Sequence, residues 1–383
     1  MINMDFLPYG KQSIDRDDLD SVAEALESDW LTTGPRVEDF ERALAEKAGV
    51  EYAVAFNSGT AALHAAYFAA GVGPGDEVIT SPITFAATAN AAVYLGARPV
   101  FADVRSDTVN INEKEIGRHI TDRTRVLAPV DFAGHPAEMD HIINTARENS
   151  LVVVEDACHA LGAGYRGRPV GSLADITIFS FHPVKHITTG EGGAAVTNSR
   201  EYCEKMKSFR SHGMVRDREK LTEYHGPWYH EMHMLGYNYR ITDIQCALGN
   251  SQLKKLDSFL KKRQDIVDLY NEELSSLGPV TTPVKLPGSQ PAWHLYVVRV
   301  KGGEKMRLKA YEELHKRGIG VQVHYLPVYR HPYYLKKGYA RGLCPVAEDY
   351  YSSTLSLPLY PGLTLKDANR VAGELKNIIN ALA

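Results

Sequence analysis

From Tyr52 to about residue 155, short apolar runs alternate with alanine-rich stretches, and this alternation limits the folds open to the chain more than any other feature. Strands are expected at 52–56, 77–80, 98–102, 125–130 and 151–155. Helices are expected between them at 60–70 and 84–95, with a more charged one at 137–149. Strands separated by helices are parallel neighbours, because a parallel pair needs a long crossover and a hairpin turn cannot supply it. The expected fold class is therefore α/β, a mostly parallel sheet covered on both faces. Two helices should precede it. Leu19, Val22, Ala23 and Leu26 have helical spacing within 15–28, and a second helix should run to about Lys47 after the break at 31–35.

After Ser251 the texture changes. A long charged helix is expected from Leu253 to Leu274, then a Gly/Pro-rich loop (278–291), strand 295–300, helix 305–317, strand 319–325 and a terminal helix from Leu365. This reads as a smaller α+β unit. A chain of 383 residues also exceeds what one core usually supports. The expected division is an N-terminal arm and large α/β domain (1–250) and a small C-terminal domain (251–383). The basic run Lys254, Lys255, Lys261, Lys262 and Arg263 is expected to be the solvated face of the long helix.

Hydrophobic residues make up 44% and charged residues 23%, with a formal net charge of -4, so no electrostatic feature favours nucleic acid. The four cysteines (Cys158, Cys203, Cys246, Cys344) include no CxxC pair, which points to a reducing compartment. Residues 1–10 lack the basic and apolar regions of a leader, and no run of about 18 apolar residues occurs. A cytoplasmic enzyme with no membrane partner is the expectation.

Chemistry enters at residues 174–193. Ile176, Ile178, Phe179 and Phe181 read as a buried strand that Pro183 stops, since proline cannot donate to a sheet ladder. Lys185 follows. A lysine at the end of a buried strand is costly unless something uses it, and desolvated lysines form Schiff bases with carbonyls and pyridoxal phosphate. Three upstream features fit such a cofactor. Phe56-Asn-Ser-Gly-Thr-Ala-Ala-Leu63 is a strand, a turn and a helix start, where free N–H groups make a phosphate site; plain capping by Ser58 or Thr60 is the alternative. Leu151-Val-Val-Val-Glu-Asp156 ends a strand in carboxylates, and Asp156 could hold a pyridine nitrogen protonated or merely cap a helix. Phe85 opens a helix after another strand and could stack on a planar ring or belong to the core. The segment Tyr224 to His233 is rich in histidine and aromatics. His230 and His233 are three apart, not the four a helical zinc pair needs, so an interface loop is expected and no metal.

Taken together, these motifs resemble those of the DegT/DnrJ/EryC1/StrS sugar aminotransferases, a pyridoxal-phosphate (PLP) family of fold type I, the aspartate aminotransferase fold. The resemblance covers essentially the whole chain. It rests on Ser58-Gly-Thr-Ala-Ala-Leu, Glu155-Asp-Ala-Cys-His-Ala, Phe179-Ser-Phe-His-Pro-Val-Lys, Thr189-Gly-Glu-Gly-Gly and Gly236-Tyr-Asn-Tyr-Arg. It implies that Lys185 is the catalytic Schiff-base lysine and proton shuttle, and that Asp156 pairs with the pyridine nitrogen. His159 and Phe85 would flank the ring, and Gly59, Thr60 and Ser180 would hold the phosphate. Many members have Gln where this chain has His159. Asn238 would reach the phosphate or substrate of a neighbouring subunit, making a homodimer the expected unit. Substrate contacts are implied for Tyr9, for Asp29, Trp30, Leu31 and Thr32, for Ser58, Ser180 and Asn238, and for Val323, His324, Tyr325 and Leu326.

Phe181 to Gly193, Phe209-Arg-Ser-His-Gly-Met and Gly318 to Tyr329 are similar to members that aminate the C4 ketone of a UDP-linked 4-keto-6-deoxy sugar for pseudaminic acid, with L-glutamate the expected donor. Another nucleotide-sugar 3- or 4-aminotransferase stays open. A related dehydratase would carry histidine in place of Lys185. A non-catalytic PLP-binding regulator or scaffold would be expected to lose Lys185 or Asp156, and both are present.

Overall fold

The computed structural model describes residues 6–382; residues 1–5, half of the stretch read for a leader, lie outside the described residues. A seven-stranded sheet carries the fold. Its strands are β1 (Tyr52–Phe56), β2 (Glu77–Thr80), β3 (Arg98–Phe101), β4 (Thr124–Ala128), β5 (Val152–Asp156), β6 (Ile176–Ser180) and β7 (Gly193–Thr197), in the order β1-β7-β6-β5-β4-β2-β3. Pairing is parallel from β3 through β2, β4 and β5 to β6, while β7 runs antiparallel to both β6 and β1.

Burial on both faces explains the near-continuous apolar strands. Val126, Val154 and Ile178 pack with Ala62, Ala65 and Ala66 of the helix Gly59–Ala69. Their strand neighbours Leu127 and Val153 point the other way, against Met139 and Ile142 of the helix Met139–Glu148. Alanine dominates the first of these helices because it lies flat on the sheet, where larger side chains would hold the layers apart.

The expected helices before the sheet are present as Arg16–Glu27, opened by an Asp15/Asp18 capping box, and Pro35–Ala48, closed by Gly49 at φ 69°. The C-terminal part forms a three-stranded sheet, Val280–Thr281, Tyr296–Val300 and Thr354–Leu357. Its apolar residues pack with those of helices Leu256–Leu274, Gly303–Lys316 and Leu365–Leu382. Among the described residues no helix is long and apolar enough to cross a membrane.

The structure corrects three expectations. The long helix starts at Leu256, separated from the helix Asp243–Leu253 by a break at Lys254 and Lys255, where the Lys255 ammonium is drawn onto Asp15 and Asp18. Segment 319–325 is no strand. It makes single bridges, Ile319 to Leu7 and Gln322 to Ser356, and then leaves the sheet to line a cavity. Arg263 is not on the solvated face. It is fully buried, and its Nη1 donates to the carbonyls of His294 (3.2 Å) and Leu359 (2.9 Å). Carbonyl dipoles satisfy only Nη1, while Nε and Nη2 are buried without an acceptor among the described residues, and burial lowers the pKa of the group to about 10. Strand β7, the helix Arg200–Arg210 and the strand Thr354–Leu357 had no counterpart in the sequence reading.

Candidate active site

A cavity of about 720 Å³ opens beyond the carboxyl ends of β5 and β6, beside the N-terminus of the helix Gly59–Ala69. This is where ligands sit in open α/β sheets. Ser58, Gly59, Thr60 and Ser180 line one side, and Phe85, Asp156, His159 and Lys185 line its interior. Tyr9 and the run Val323, His324, Tyr325 and Leu326 complete the wall. Residues more than 300 positions apart in sequence, Tyr9 and the run from Val323, therefore meet in one space. Tyr9 arrives because the N-terminal segment pairs with the C-terminal part: Leu7 bridges Ile319, and the Tyr9 carbonyl accepts from the Leu359 N–H (3.0 Å).

Five expected site residues do not line the cavity of the single chain. Asp29, Trp30, Leu31 and Thr32 are exposed, with Thr32 bridged to Thr242. Asn238 bridges Ser211, and its carbonyl accepts from Asn57 Nδ2 (3.4 Å).

The phosphate-loop motif is built by close backbone approach. Ser58 caps the helix by accepting from the Ala61 N–H (3.1 Å), and Gly59 and Thr60, whose N–H groups have no acceptor within the helix, line the cavity. A Cβ on Gly193 of β7 would lie 2.5 Å from the Gly59 nitrogen, and one on Gly59 would lie 3.2 Å from Ser180 Cβ. Only glycine lets β7 and the helix start come this close.

Asp156 is fixed by two donors. Thr88 Oγ1 donates to its Oδ2 (2.5 Å) and the Cys158 N–H to its Oδ1 (3.2 Å). The Thr88 proton being committed, Thr84 Oγ1 donates to Thr88 Oγ1 (2.7 Å). The two bonds fix both carboxylate oxygens and aim the group. Thr84, Thr88 and Cys158 were not singled out in the sequence; Thr84 lies in the turn before the helix Ala87–Tyr94 and Thr88 in its first turn. Thr88→Val, which keeps the shape and removes the hydroxyl, is expected to lower kcat/KM about tenfold with folding retained, the equivalent of about 1.4 kcal/mol. Steady-state kinetics beside a urea titration would check this; unchanged kinetics would remove Thr88 from the site.

Lys185 lies in a tight loop in which its own N–H donates to the His182 carbonyl (2.9 Å) and Thr188 Oγ1 to the Phe181 carbonyl (3.0 Å). Its ammonium is held below the usual lysine range chiefly by burial; nearby Asp156 and Cys158 oppose that shift, and Arg263 adds to it. Histidines 159, 186, 294 and 324 surround this region and are kept neutral first by burial; the lysine charge comes next for His159, His294 and His324, and the Arg263 charge ahead of it for His186, with His324 lowered to about 3. The Ala133 N–H donates to His159 Nδ1 (3.3 Å), so the neutral ring carries its proton on Nε2, which lies 3.3 Å from Tyr325 Oη. His294, whose ring lies 4.4 Å from that of His159, had no signal in the sequence.

Phe85 is 63% exposed, and its ring is 6.5 Å from that of Tyr325. A bare aromatic face, a carboxylate, an amine and a helix N-terminus around one cavity suit a planar, phosphorylated, nitrogen-containing ring. The donor set fits PLP.

The profile of the DegT/DnrJ/EryC1/StrS aminotransferase family matches residues 12–376. The chain is 42% identical over 377 residues to the UDP-4-amino-4,6-dideoxy-N-acetyl-beta-L-altrosamine transaminase of Campylobacter jejuni, covering 97% of each. It is 41% identical over 378 residues to the spore coat polysaccharide biosynthesis protein SpsC of Bacillus subtilis, covering 98% of this chain and 97% of that one. Among solved structures, Helicobacter pylori PseC, an aminotransferase involved in the biosynthesis of pseudoaminic acid, superposes with a TM-score of 0.92 at 36% identity, covering 98% of this chain and 100% of that one. The fold is that of the PLP-dependent aminotransferases, and the chain belongs to the DegT/DnrJ/EryC1/StrS family of PLP-dependent sugar aminotransferases.

Proposed function

We propose that this enzyme transfers an amino group from an amino acid, L-glutamate, to the C4 ketone of UDP-2-acetamido-2,6-dideoxy-beta-L-arabino-hex-4-ulose, giving UDP-4-amino-4,6-dideoxy-N-acetyl-beta-L-altrosamine for pseudaminic acid biosynthesis. The reaction class is carried by one observation, Lys185 and Asp156 lining the same cavity. The choice of sugar is supported by the near full-length likeness to the altrosamine transaminase. SpsC, of similar identity, favours a second reading in which another nucleotide-sugar ketone is aminated.

Gly59, Thr60 and Ser180 would hold the cofactor's phosphate, Phe85 and His159 would flank its ring, and Asp156 would face the ring nitrogen. When bound, PLP supplies an electron-accepting ring and a carbonyl that carries the amino group between the two substrates. Lys185 does the proton work. Burial favours its neutral amine, which can act as nucleophile, take a proton from the donor's α-carbon in the first half-reaction and deliver one to the sugar's C4 in the second. Thr88 and the Cys158 N–H keep Asp156 oriented throughout. Neutral His159 and Tyr325 wall the site without adding charge. Asn238 and the run from Asp29 to Thr32, outside the cavity of one chain, would serve the site of a second subunit in a homodimer. The bare side chains of Trp228 and Leu235, each 76% exposed beside a small hairpin (Met214–Val215 with Glu231–Met232), support that assembly.

The test is a two-stage absorbance experiment on the PLP-loaded protein. Glutamate should bleach the yellow band, and the 4-keto-UDP-sugar should restore it. Bleaching that this sugar does not reverse would leave the aminotransferase and remove the sugar assignment. No band after incubation with PLP would overturn the reading built on Lys185.

A further inference from the structure

Strand β5 ends in two successive carboxylates, and the cavity uses only the second. Glu155 points to the opposite face and is fully buried. Asp131, also fully buried, follows β4 and is brought alongside when its N–H donates to the Asp156 carbonyl (3.1 Å). One oxygen of each acid has a donor: Asp131 Oδ1 accepts from the Ala137 N–H (2.9 Å), and Glu155 Oε2 accepts from Thr177 Oγ1 (2.8 Å). The other two, Asp131 Oδ2 and Glu155 Oε1, are buried with no donor among the described residues. The two carboxyl groups lie close enough to act on each other's charge. Two adjacent buried carboxylates cannot both stay ionised, whereas one proton between them removes the repulsion and satisfies both orphaned oxygens.

We propose that Asp131 and Glu155 share a proton and act as a positioning pair that ties the 131–137 loop to β5 beneath the active site. The surrounding charges say which acid carries the proton. Asp156 lies toward Asp131 and disfavours a second negative charge there, while Arg168 and the Gly171 N–H lie toward Glu155 and favour its ionised form. Burial raises both, Asp131 well above the carboxylate range and Glu155 to about 7. The tied loop does identifiable work. Its Ala133 N–H sets the His159 tautomer, and its Ala133 and Gly134 carbonyls accept from the N–H groups of His294 and Ala292 (2.9 Å each). Neither acid lines the cavity, so their role is to position Asp156 and His159.

The experiment measures the unfolding equilibrium constant of the cofactor-free chain against pH, beside the double variant Asp131→Asn/Glu155→Gln. That variant can keep the hydrogen bond and cannot titrate. Above about pH 5 both acids are ionised in the unfolded chain while the folded pair retains a proton. Native protein then binds more protons, so wild-type stability falls as pH rises. Its unfolding constant should climb at least about tenfold per pH unit more steeply than the variant's up to about pH 7. Parallel curves would overturn the shared proton. Should the double variant not fold, the wild-type infrared spectrum decides: a protonated-carboxyl stretch that moves on 13C-labelling of aspartate or glutamate supports the pair, and its absence overturns it. Positioning is read on the loaded enzyme. Glu155→Leu should lose tenfold or more in kcat/KM, and Glu155→Gln should restore most of it; equal activity of Glu155→Leu and wild type would sink that role. Because the proton is measured without cofactor, its failure is distinguishable from failure of the aminotransferase reading on which the positioning role rests.

Discussion

Lys185→Ala should lower kcat/KM by at least about 10³-fold, since both the covalent anchor and the proton shuttle are lost and acid–base catalysis alone contributes about 10²–10⁴-fold. The loss should not come from unfolding. Lys185 makes no side-chain hydrogen bond or ion pair among the described residues, and its charge is disfavoured by burial. Alanine removes that cost. A pH dependence follows with a defined sign. The folded-state pKa of Lys185 is below its unfolded value of about 10.4, so between the two the unfolded chain binds more protons. The stability of the cofactor-free wild type relative to Lys185→Ala should therefore improve as pH rises toward about 10.4 and level off beyond it. Kinetics, borohydride trapping of PLP and alkaline denaturation check the three parts. Appreciable turnover by a folded Lys185→Ala protein would sink the mechanism.

Asp156→Asn should cost about 10²–10³-fold in kcat/KM, the usual effect of removing one preorganised electrostatic group. Asparagine keeps an acceptor for Thr88 or Cys158 and occupies the same volume, so the fold should hold. What it lacks is the negative charge that, in the proposed role, would keep a ring nitrogen protonated. The visible band of the loaded variant should accordingly change its response to pH. Asp156→Ala should be worse in both respects, because the Thr88 hydroxyl and Cys158 N–H lose their acceptor, at about 1–3 kcal/mol for each buried group left unpaired. Wild-type kcat/KM in Asp156→Asn would detach this residue from the chemistry.

The parts of the site that are local in sequence were legible there. Ser58-Gly59-Thr60, Asp156 and Lys185 each stand at the end of a buried strand, and a strand that ends in polar residues announces where the chain leaves the sheet. Thr88 was not legible as a partner of Asp156, because its hydroxyl meets a carboxylate 68 positions away and nothing in its own helix marks the meeting. Arg263 was misread for a related reason. Helical spacing places it among lysines on a basic stripe, and only packing against the 293–294 and 359 carbonyls turns it inward. The weak strand Gly-Ala-Ala-Val-Thr, 193–197, carries too few branched residues to be recognised alone, yet it is held on both edges by β1 and β6.

By itself the sequence determined the α/β class and marked Lys185 and Asp156 as candidates, because hydrophobic period and residue chemistry are local properties. The tertiary structure decided which strands neighbour one another and which residues from distant segments share a cavity. It also decided which acids and bases lie out of water. Those are properties of contacts and desolvation, and the low-dielectric interior that disfavours the Lys185 charge and encloses Asp131 and Glu155 exists only once the chain has closed around them.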